Sequence, residues 1–356
     1  MQSPSLVQAI TQAAQVTSTP SALVRRALKV MQPYLGTRLI NWCTLNPWTL
    51  QPNTIYFPIN LNALPFFKPA RRITDSLRRF DADKDRPFSL HWMIRNSHVA
   101  ATLHNVYNGD LEKSGRLSRP ELTLLGIKDE LRLLLQHNQQ TWGVISAIHR
   151  KRHFTQSEVK MMRTIGPLLG DATRASFVHT LTTASPSEDT APGVLMMDRK
   201  WCISESSREA DRLLGDETTR GMPMWLDQLR PSQEVAAPPS LVVLTSNGPV
   251  TAHSSNLNGK PLVFVERSKP MIIAELLMRT YGLSLRERQV VAAVFRGWPT
   301  RKIAFELDIA DWTVQDHLKS VFSKVGVKSR LELTSHLLFS HSIDSPHTMS
   351  AAGTSG

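Results

Sequence analysis

The chain has 356 residues, 41% apolar and 20% charged, an ordinary globular composition that excludes fibrous and wholly disordered classes. At roughly 100–200 residues per domain, this length predicts two or three domains, each with its own core. The 42 Lys and Arg outnumber the 30 Asp and Glu for a formal charge of +12, which favours anionic partners such as nucleic acid without selecting one. In chain order, spaced apolar residues predict a helix over Leu6–Val16. A second follows over Ser21–Leu35, with Pro20 before it and Ser21 as N-cap. Thr37–Leu45 and Thr54–Ile59, rich in β-branched and aromatic residues, read as strands. A long irregular stretch separates these from strands at Asp129–Leu135 and Trp142–His149, joined by the polar turn His137–Gln140. Thr155 and Glu158 then form a T-x-x-E capping box. It opens a helix towards Val178, bent at Gly166–Pro167. Helices, mixed strands, a hairpin and a closing helix make residues 1–180 an α+β domain. These residues carry 23 basic and 11 acidic side chains, so most of the positive excess lies here.

The run Asp129-Glu130-Leu131-Arg132, then Trp142-Gly143-Val144-Ile145, then Phe154-Thr155-x-x-Glu158, resembles the end of a GAF domain. The resemblance covers about 50 residues well and implies a sensory or dimerisation domain. A small-molecule ligand is compatible with it and remains unnamed. Residues 181–191 (with TTASPSEDTA) are small, polar and proline-broken, and read as a linker. Beyond them, strands are expected at Gly193–Asp198 and Trp201–Ile203 around an Arg199-Lys200 turn. A short helix over Ser207–Leu214 closes at Gly215, and strands follow at Leu241–Leu244 and Pro261–Val265, with Pro231–Pro239 as a loop. Residues 192–268 resemble a shortened PAS domain, with Ser207 where PAS sequences often carry Asn.

Residues 271–340 hold the strongest signal. Ser284 and Glu287 form a second capping box, opening a helix that ends at Gly297 with Val290, Val291, Val294 and Phe295 on one side. Pro299-Thr300 starts another helix through Leu307, and Ile309–Asp311 is a short turn. A third helix runs from about Trp312 to Val325, packed through Val314, Leu318, Val321 and Val325. Ser329 caps a fourth over Arg330–Phe339. Four short helices with a tight turn between the second and third make a helix-turn-helix. Gln315, Asp316, Lys319, Ser320 and Ser323 share the third helix's open face, a polar surface suited to the DNA major groove. The helix starts at Thr300 and Thr313 offer backbone N–H groups to a phosphate. Residues 341–356 cannot bury enough apolar surface to order and read as a disordered tail.

Leu283-Ser-x-Arg286-Glu287, Gly297, Ile303-Ala304, Thr313-Val314, His317-Leu318, Phe322, Lys324, Gly326-Val327 and Ser329-Arg330 follow the LuxR-type helix-turn-helix pattern. About 60 residues share it. The resemblance implies Gln315, Asp316 and Lys319 at bases, and Thr300, Thr313 and Lys324 at phosphates of double-stranded DNA. It further implies a homodimer and leaves RNA polymerase open as a partner. Two departures stand out: Ala310 replaces the usual capping Ser, leaving Asp311 to cap, and Trp312 enters the turn. Packing on the second helix is favoured for Trp312 over lying against the DNA backbone. Asp316 repels phosphate but accepts from a cytosine amino group, so it suits specificity rather than affinity.

Weaker signals have plain readings. His317 borders the packed face, Glu287 is a capping acid, and Arg330 holds the fourth helix to its neighbours. His91, His98 and His104 fit no common ligand spacing. Trp42, Trp48, Trp92 and Trp142 suit either a core or an aromatic pocket. Leu333, Leu337 and Leu338 suit either a core or a dimer seam. Cys43 and Cys202 form no metal-type pair. No phosphate loop, nucleophile elbow, zinc-histidine pair or Rossmann fingerprint is present, so no enzyme, metal or cofactor is expected. No apolar run reaches the ~18 residues of a membrane span, and the N-terminus lacks a secretory pattern. The fold class expected is multidomain: α+β GAF-like, small PAS-like α+β, then an all-α four-helix helix-turn-helix. The expected function is a cytoplasmic DNA-binding transcriptional regulator whose N-terminal regions sense a signal or set dimer geometry. The alternative is a small-molecule sensor that acts through protein partners, with weak or no DNA binding.

Overall fold

The computed structural model describes residues 5–15, 19–56, 81, 83–110, 112–114, 126–183, 191–199, 201–215, 221–230, 240–245 and 247–339. The expected tail 341–356 and the loop Pro231–Pro239 lie outside them, as does most of the expected linker. The chain divides into two compact units, residues 1–180 with 192–266 and residues 181–191 with 267–356.

The first unit begins with α1 (Leu6–Gln15) and α2 (Pro20–Leu35). Thr19, not Ser21, caps α2: its hydroxyl accepts from the Ala22 N–H at 3.4 Å, while Ser21 is buried. Pro20 takes the first helical position, where its fixed φ fits and its missing N–H costs nothing. Five strands follow: β1 (Ile40–Leu45), β2 (Pro52–Tyr56), β3 (Ala100–Thr102), β4 (Asp129–His137) and β5 (Gln140–His149). Short helices α3 (Leu90–Arg95) and α4 (Leu103–Val106) flank β3, and α5 (Gln156–Thr183) closes the set. The strands lie antiparallel in the order β3-β4-β5-β1-β2. Asn138 and Gln139 both have positive φ, the primed two-residue turn whose twist matches a β4–β5 hairpin.

Alternation along the strands sorts two cores. Trp42, Leu131, Leu133, Leu135 and Ile145 cluster with Ile10, Leu28, Met31, Met162 and Ile165 of α1, α2 and α5. Cys43, Leu45, Leu134 and Val144 face the other way, into a second cluster with Phe88, Leu90, Met93 and Leu103. α5 continues through Pro167 and lies close on β4. A Cβ on Gly170 would stand 2.2 Å from the Gln136 carbonyl oxygen, so only glycine permits that approach. The Asp-Glu-Leu-Arg run is structural. Buried Asp129 accepts N–H bonds from His104, Glu130 and Phe154 at 2.9–3.0 Å. Buried Arg132 donates to Glu130, Asp81 and the Phe88 carbonyl.

The second sheet contains β6 (Gly193–Met197), β7 (Ile203–Ser206), β9 (Leu241–Thr245), β10 (Gly248–Leu257) and β11 (Lys260–Arg267) in the order β7-β6-β11-β10-β9. Numbered within itself, each sheet runs 2-1-5-4-3 through these strands. α6 (Arg208–Leu214) is capped by Ser207, whose hydroxyl accepts from Ala210. Trp201 has φ 61°, so the turn extends through it and β7 starts only at Ile203, later than the sequence suggests. β8 (Gly221–Pro223) leaves this sheet and pairs antiparallel with β2, making the first sheet six-stranded. Gln228 Nε2 donates to the Pro52 carbonyl at 3.0 Å, and Met224 enters the core of Cys43 and Val144.

The second unit is helical: α7 (Pro270–Thr280), α8 (Leu285–Phe295), α9 (Thr300–Leu307), α10 (Asp311–Val325) and α11 (Arg330–Thr334), then a π-helical turn Ser335–Phe339. Two expectations change. An additional helix, α7, precedes the four, and the last one changes winding at Ser335. Among the described residues, no helix is long and apolar enough to cross a membrane. None of their His, Cys, Asp and Glu residues group in threes to hold a metal.

Candidate nucleic-acid interface

α8 starts with both halves of its capping box formed: Glu287 N–H donates to Ser284 Oγ, and Ser284 N–H to the Glu287 carboxylate. α9 ends at Asp308, whose φ of 51° reverses the chain, and Ile309 N–H donates back to Ala304 at 3.0 Å. Arg286 Nη2 donates to the Leu307 carbonyl and pins this turn to α8. Val290, Val294, Ile303, Ala304, Val314 and Leu318 form the shared core. The helix-turn-helix is therefore fixed by a packed core and by one side chain at its turn.

α10 has two faces. Val314, Leu318, Val321 and Val325 are buried, whereas Gln315, Asp316, Lys319 and Ser323 are exposed. Lys319 Nζ lies 3.4 Å from Asp316 Oδ1, a solvated pair one turn apart. Thr313 is half-buried near the helix start, and His317 is half-buried beside the packed face. Ala310 occupies the N-cap without a side-chain bond, and Asp311 is the first helical residue, so Asp311 does not cap. The first N–H groups of α10 accordingly have no capping side chain. Trp312 is 68% exposed and does not pack on α9, contrary to the sequence expectation.

Ser320 also differs from expectation. Its hydroxyl turns inward and donates to Glu287 Oε1 at 2.7 Å. Lys324 reaches the same carboxylate, with Nζ 2.7 and 2.8 Å from its two oxygens. Burial would raise the Glu287 carboxyl, but Lys324, Ser320 and the Ser284 N–H outweigh it and hold the group at about 2. Glu287 thus both caps α8 and anchors α10. Lys324, expected at a phosphate, holds the two helices together in this structure.

A basic corner lies at the start of α9. Arg296 and Lys302, both exposed, stand over the Trp298 ring at 5.1 and 4.7 Å from its centroid. The pair is not among the residues that the sequence singles out, although Arg296-Gly-Trp-Pro-Thr-Arg-Lys302 carries a cation on either side of the indole. Thr300 Oγ1 accepts from Arg330 Nη2 at 2.8 Å, and Arg330 Nη1 donates to the Trp298 carbonyl. Arg330 is thereby the expected tie to its neighbours. Leu333 and Leu337 are fully buried inside the unit, which places those two in the core rather than on a free seam.

Residues 282–337 match the family described as bacterial regulatory proteins, luxR family. They form a LuxR-type helix-turn-helix domain. Over 73 residues the chain is 36% identical to the HTH-type transcriptional regulator MalT of Klebsiella pneumoniae, covering 20% of this chain and 8% of that protein. Over 60 residues it is 37% identical to MalT of Cronobacter sakazakii, covering 17% and 7%. The chain thus spans less than a tenth of the length of these relatives. Among solved structures, SdiA in complex with octanoyl-rac-glycerol aligns over 97% of this chain and 100% of that chain, at 12% identity and TM-score 0.33. Escherichia coli SdiA aligns over 94% and 97%, at 10% identity and TM-score 0.34.

Proposed function

We propose that this chain is a DNA-binding transcriptional regulator, acting as a homodimer that sets one α10 into the major groove of each half-site. The two-faced α10, inside a domain that matches a family of regulatory proteins, carries this reading. Gln315, Asp316 and Lys319 reach base edges: an amide, a carboxylate and an ammonium supply the donors and acceptors that distinguish base pairs there. Thr313 and Thr300 approach phosphates at the starts of α10 and α9, where unpaired N–H groups favour an anion. Arg296 and Lys302 add charge beside them. Lys324 orients α10 through Glu287, and any phosphate it meets competes with that carboxylate.

In this proposal residues 1–180 are a GAF-like sensory or dimerisation domain and residues 192–268 a PAS-like segment. The α+β sheets with a common strand order support that reading. The β2–β8 pairing supplies a route by which a change in one sheet reaches the other. A signal would act only by binding one arrangement of the regulator better than another.

A salt titration of full-length protein on selected DNA tests the proposal. Phosphate neutralisation gives an affinity that falls steeply with salt, and a flat profile would favour output through protein partners. Lys319→Ala should weaken binding to the selected site by about 1–3 kcal/mol while sparing random DNA. Thr313→Ala should weaken both alike, since a phosphate contact carries no sequence information. Equal losses for Lys319→Ala on both DNAs would remove it from the base-reading set.

A further inference from the structure

Trp312 has no place in the packing of its own domain. It is 68% exposed, although an indole is among the side chains with most to gain from burial. Its position on α10 is specific. At 100° per residue, Trp312, Asp316, Lys319 and Ser323 fall within about 60° of one another, opposite Val314, Leu318, Val321 and Val325. All four are exposed. Trp312 is therefore the first residue of the polar stripe proposed to face DNA, at the end of the helix that enters the groove. At 1.5 Å per residue it leads Lys319 by roughly 10 Å, about three base-pair steps. Its neighbours on the stripe are an acid, a base and a hydroxyl, so a purely apolar protein groove would leave all three desolvated and unpaired.

We propose that Trp312 is a specificity residue whose indole packs against the 5-methyl group of a thymine in the major groove. The methyl is the one apolar group that base edges present there, and thymine is recognised by apolar contact with it. Asp316 and Lys319 would read polar edges further along the same strip. The uncapped start of α10 leaves backbone N–H groups beside Trp312 free for the adjoining phosphate, which brings the ring close to the base. This inference rests on the DNA-binding reading above.

The test uses the full-length protein and a site that it selects from random DNA. Each thymine of that site is replaced in turn by deoxyuridine, which removes only the 5-methyl. One replacement should lower wild-type affinity about fourfold, the worth of burying one methyl-sized group. Trp312→Ala should bind the unmodified site at least that much more weakly and be indifferent to the same replacement. Trp312→Phe should retain sensitivity to it. The thermal midpoint of Trp312→Ala should match wild type, because an exposed ring leaves no cavity; a large drop would mean that the ring packs and would overturn the assignment. So would a Trp312→Ala protein as sensitive to every deoxyuridine as wild type, or one weakened equally on all sequences. A wild-type chain that selects no sequence overturns the DNA-binding reading itself, a result separable from failure at Trp312 alone.

Discussion

Glu287 shows how much one side chain can do when local and distant partners meet on it. The capping box with Ser284 is local, and its S-x-x-E spacing makes it readable in the sequence. Ser320 and Lys324 arrive from 33 and 37 residues further on, and nothing in a capping motif announces them. Their bonds set the carboxyl at about 2, below its ordinary 4.5. The folded value lies below the unfolded one, so the carboxylate's stabilisation is complete above pH 4.5 and is lost as the pH falls towards 2. Glu287→Gln should cost about 1.5–3 kcal/mol at neutral pH, the range for hydrogen bonds to a charged group. Its deficit against wild type should narrow between pH 4.5 and 2. Urea unfolding at several pH values reads both effects, and a constant deficit would show that the charge is not what stabilises. Glu158 is held at about 2 in the same way, its burial outweighed by Arg152 and Thr155, but it titrates identically in both proteins and cancels. Trp312 departs from its sequence expectation for a different reason. An indole beside a turn invites burial by residue type, whereas helical phase sets Trp312 opposite Val314, Leu318, Val321 and Val325 and so turns it outward.

Elements were legible where pattern and punctuation agreed. Asp129–His137 and Gln140–His149 carry continuous apolar runs around a polar turn, and the hairpin formed nearly as read. β10 is hidden in the sequence because Gly248 and Pro249 open it and Ser254-Ser255-Asn256 lie near its end, all loop-like residues. Its signal was the Asn258-Gly259 pair: both have positive φ, the residue choice a primed hairpin turn requires. β8 had no signal at all, since Gly-Met-Pro becomes a strand only because β2 offers it an edge. α7 was readable, with Pro270 in its first turn and Ile273, Ala274, Leu277 and Met278 on one face. At α5 the informative residue is the smallest one. Gly170→Ala would drive a methyl into the Gln136 backbone, within 2.6 Å of its carbonyl carbon, where no flexible side chain can yield. The helix must then lift from β4, and we expect a loss of about 1–3 kcal/mol, the usual cost of overpacking. Differential scanning calorimetry tests this, and an unchanged midpoint would mean that α5 slides without cost.

At the scale of the whole molecule, the length of α10 bears on how many copies must bind. Trp312 to Ser323 spans roughly 16 Å along the helix, enough to meet about five base pairs. A five-base-pair word recurs about once per thousand base pairs, against the ~10⁶ or more competing sites of a genome. One helix-turn-helix therefore cannot single out a regulatory site, however well Gln315, Asp316 and Lys319 fit their bases. Two copies on one DNA square the discrimination, and the geometry of two major grooves on one face sets their separation. The fragments selected by the full-length protein should accordingly contain inverted or direct pairs of one short word, with centres about 10 base pairs or a multiple apart. Inserting five base pairs between the words turns the second to the opposite face and should abolish tight binding, whereas inserting ten should restore part of it. Sedimentation of the complex should give two chains per paired site. A single unpaired word bound by one chain, indifferent to either insertion, would contradict the dimeric reading and shift the burden of specificity to residues beyond α10.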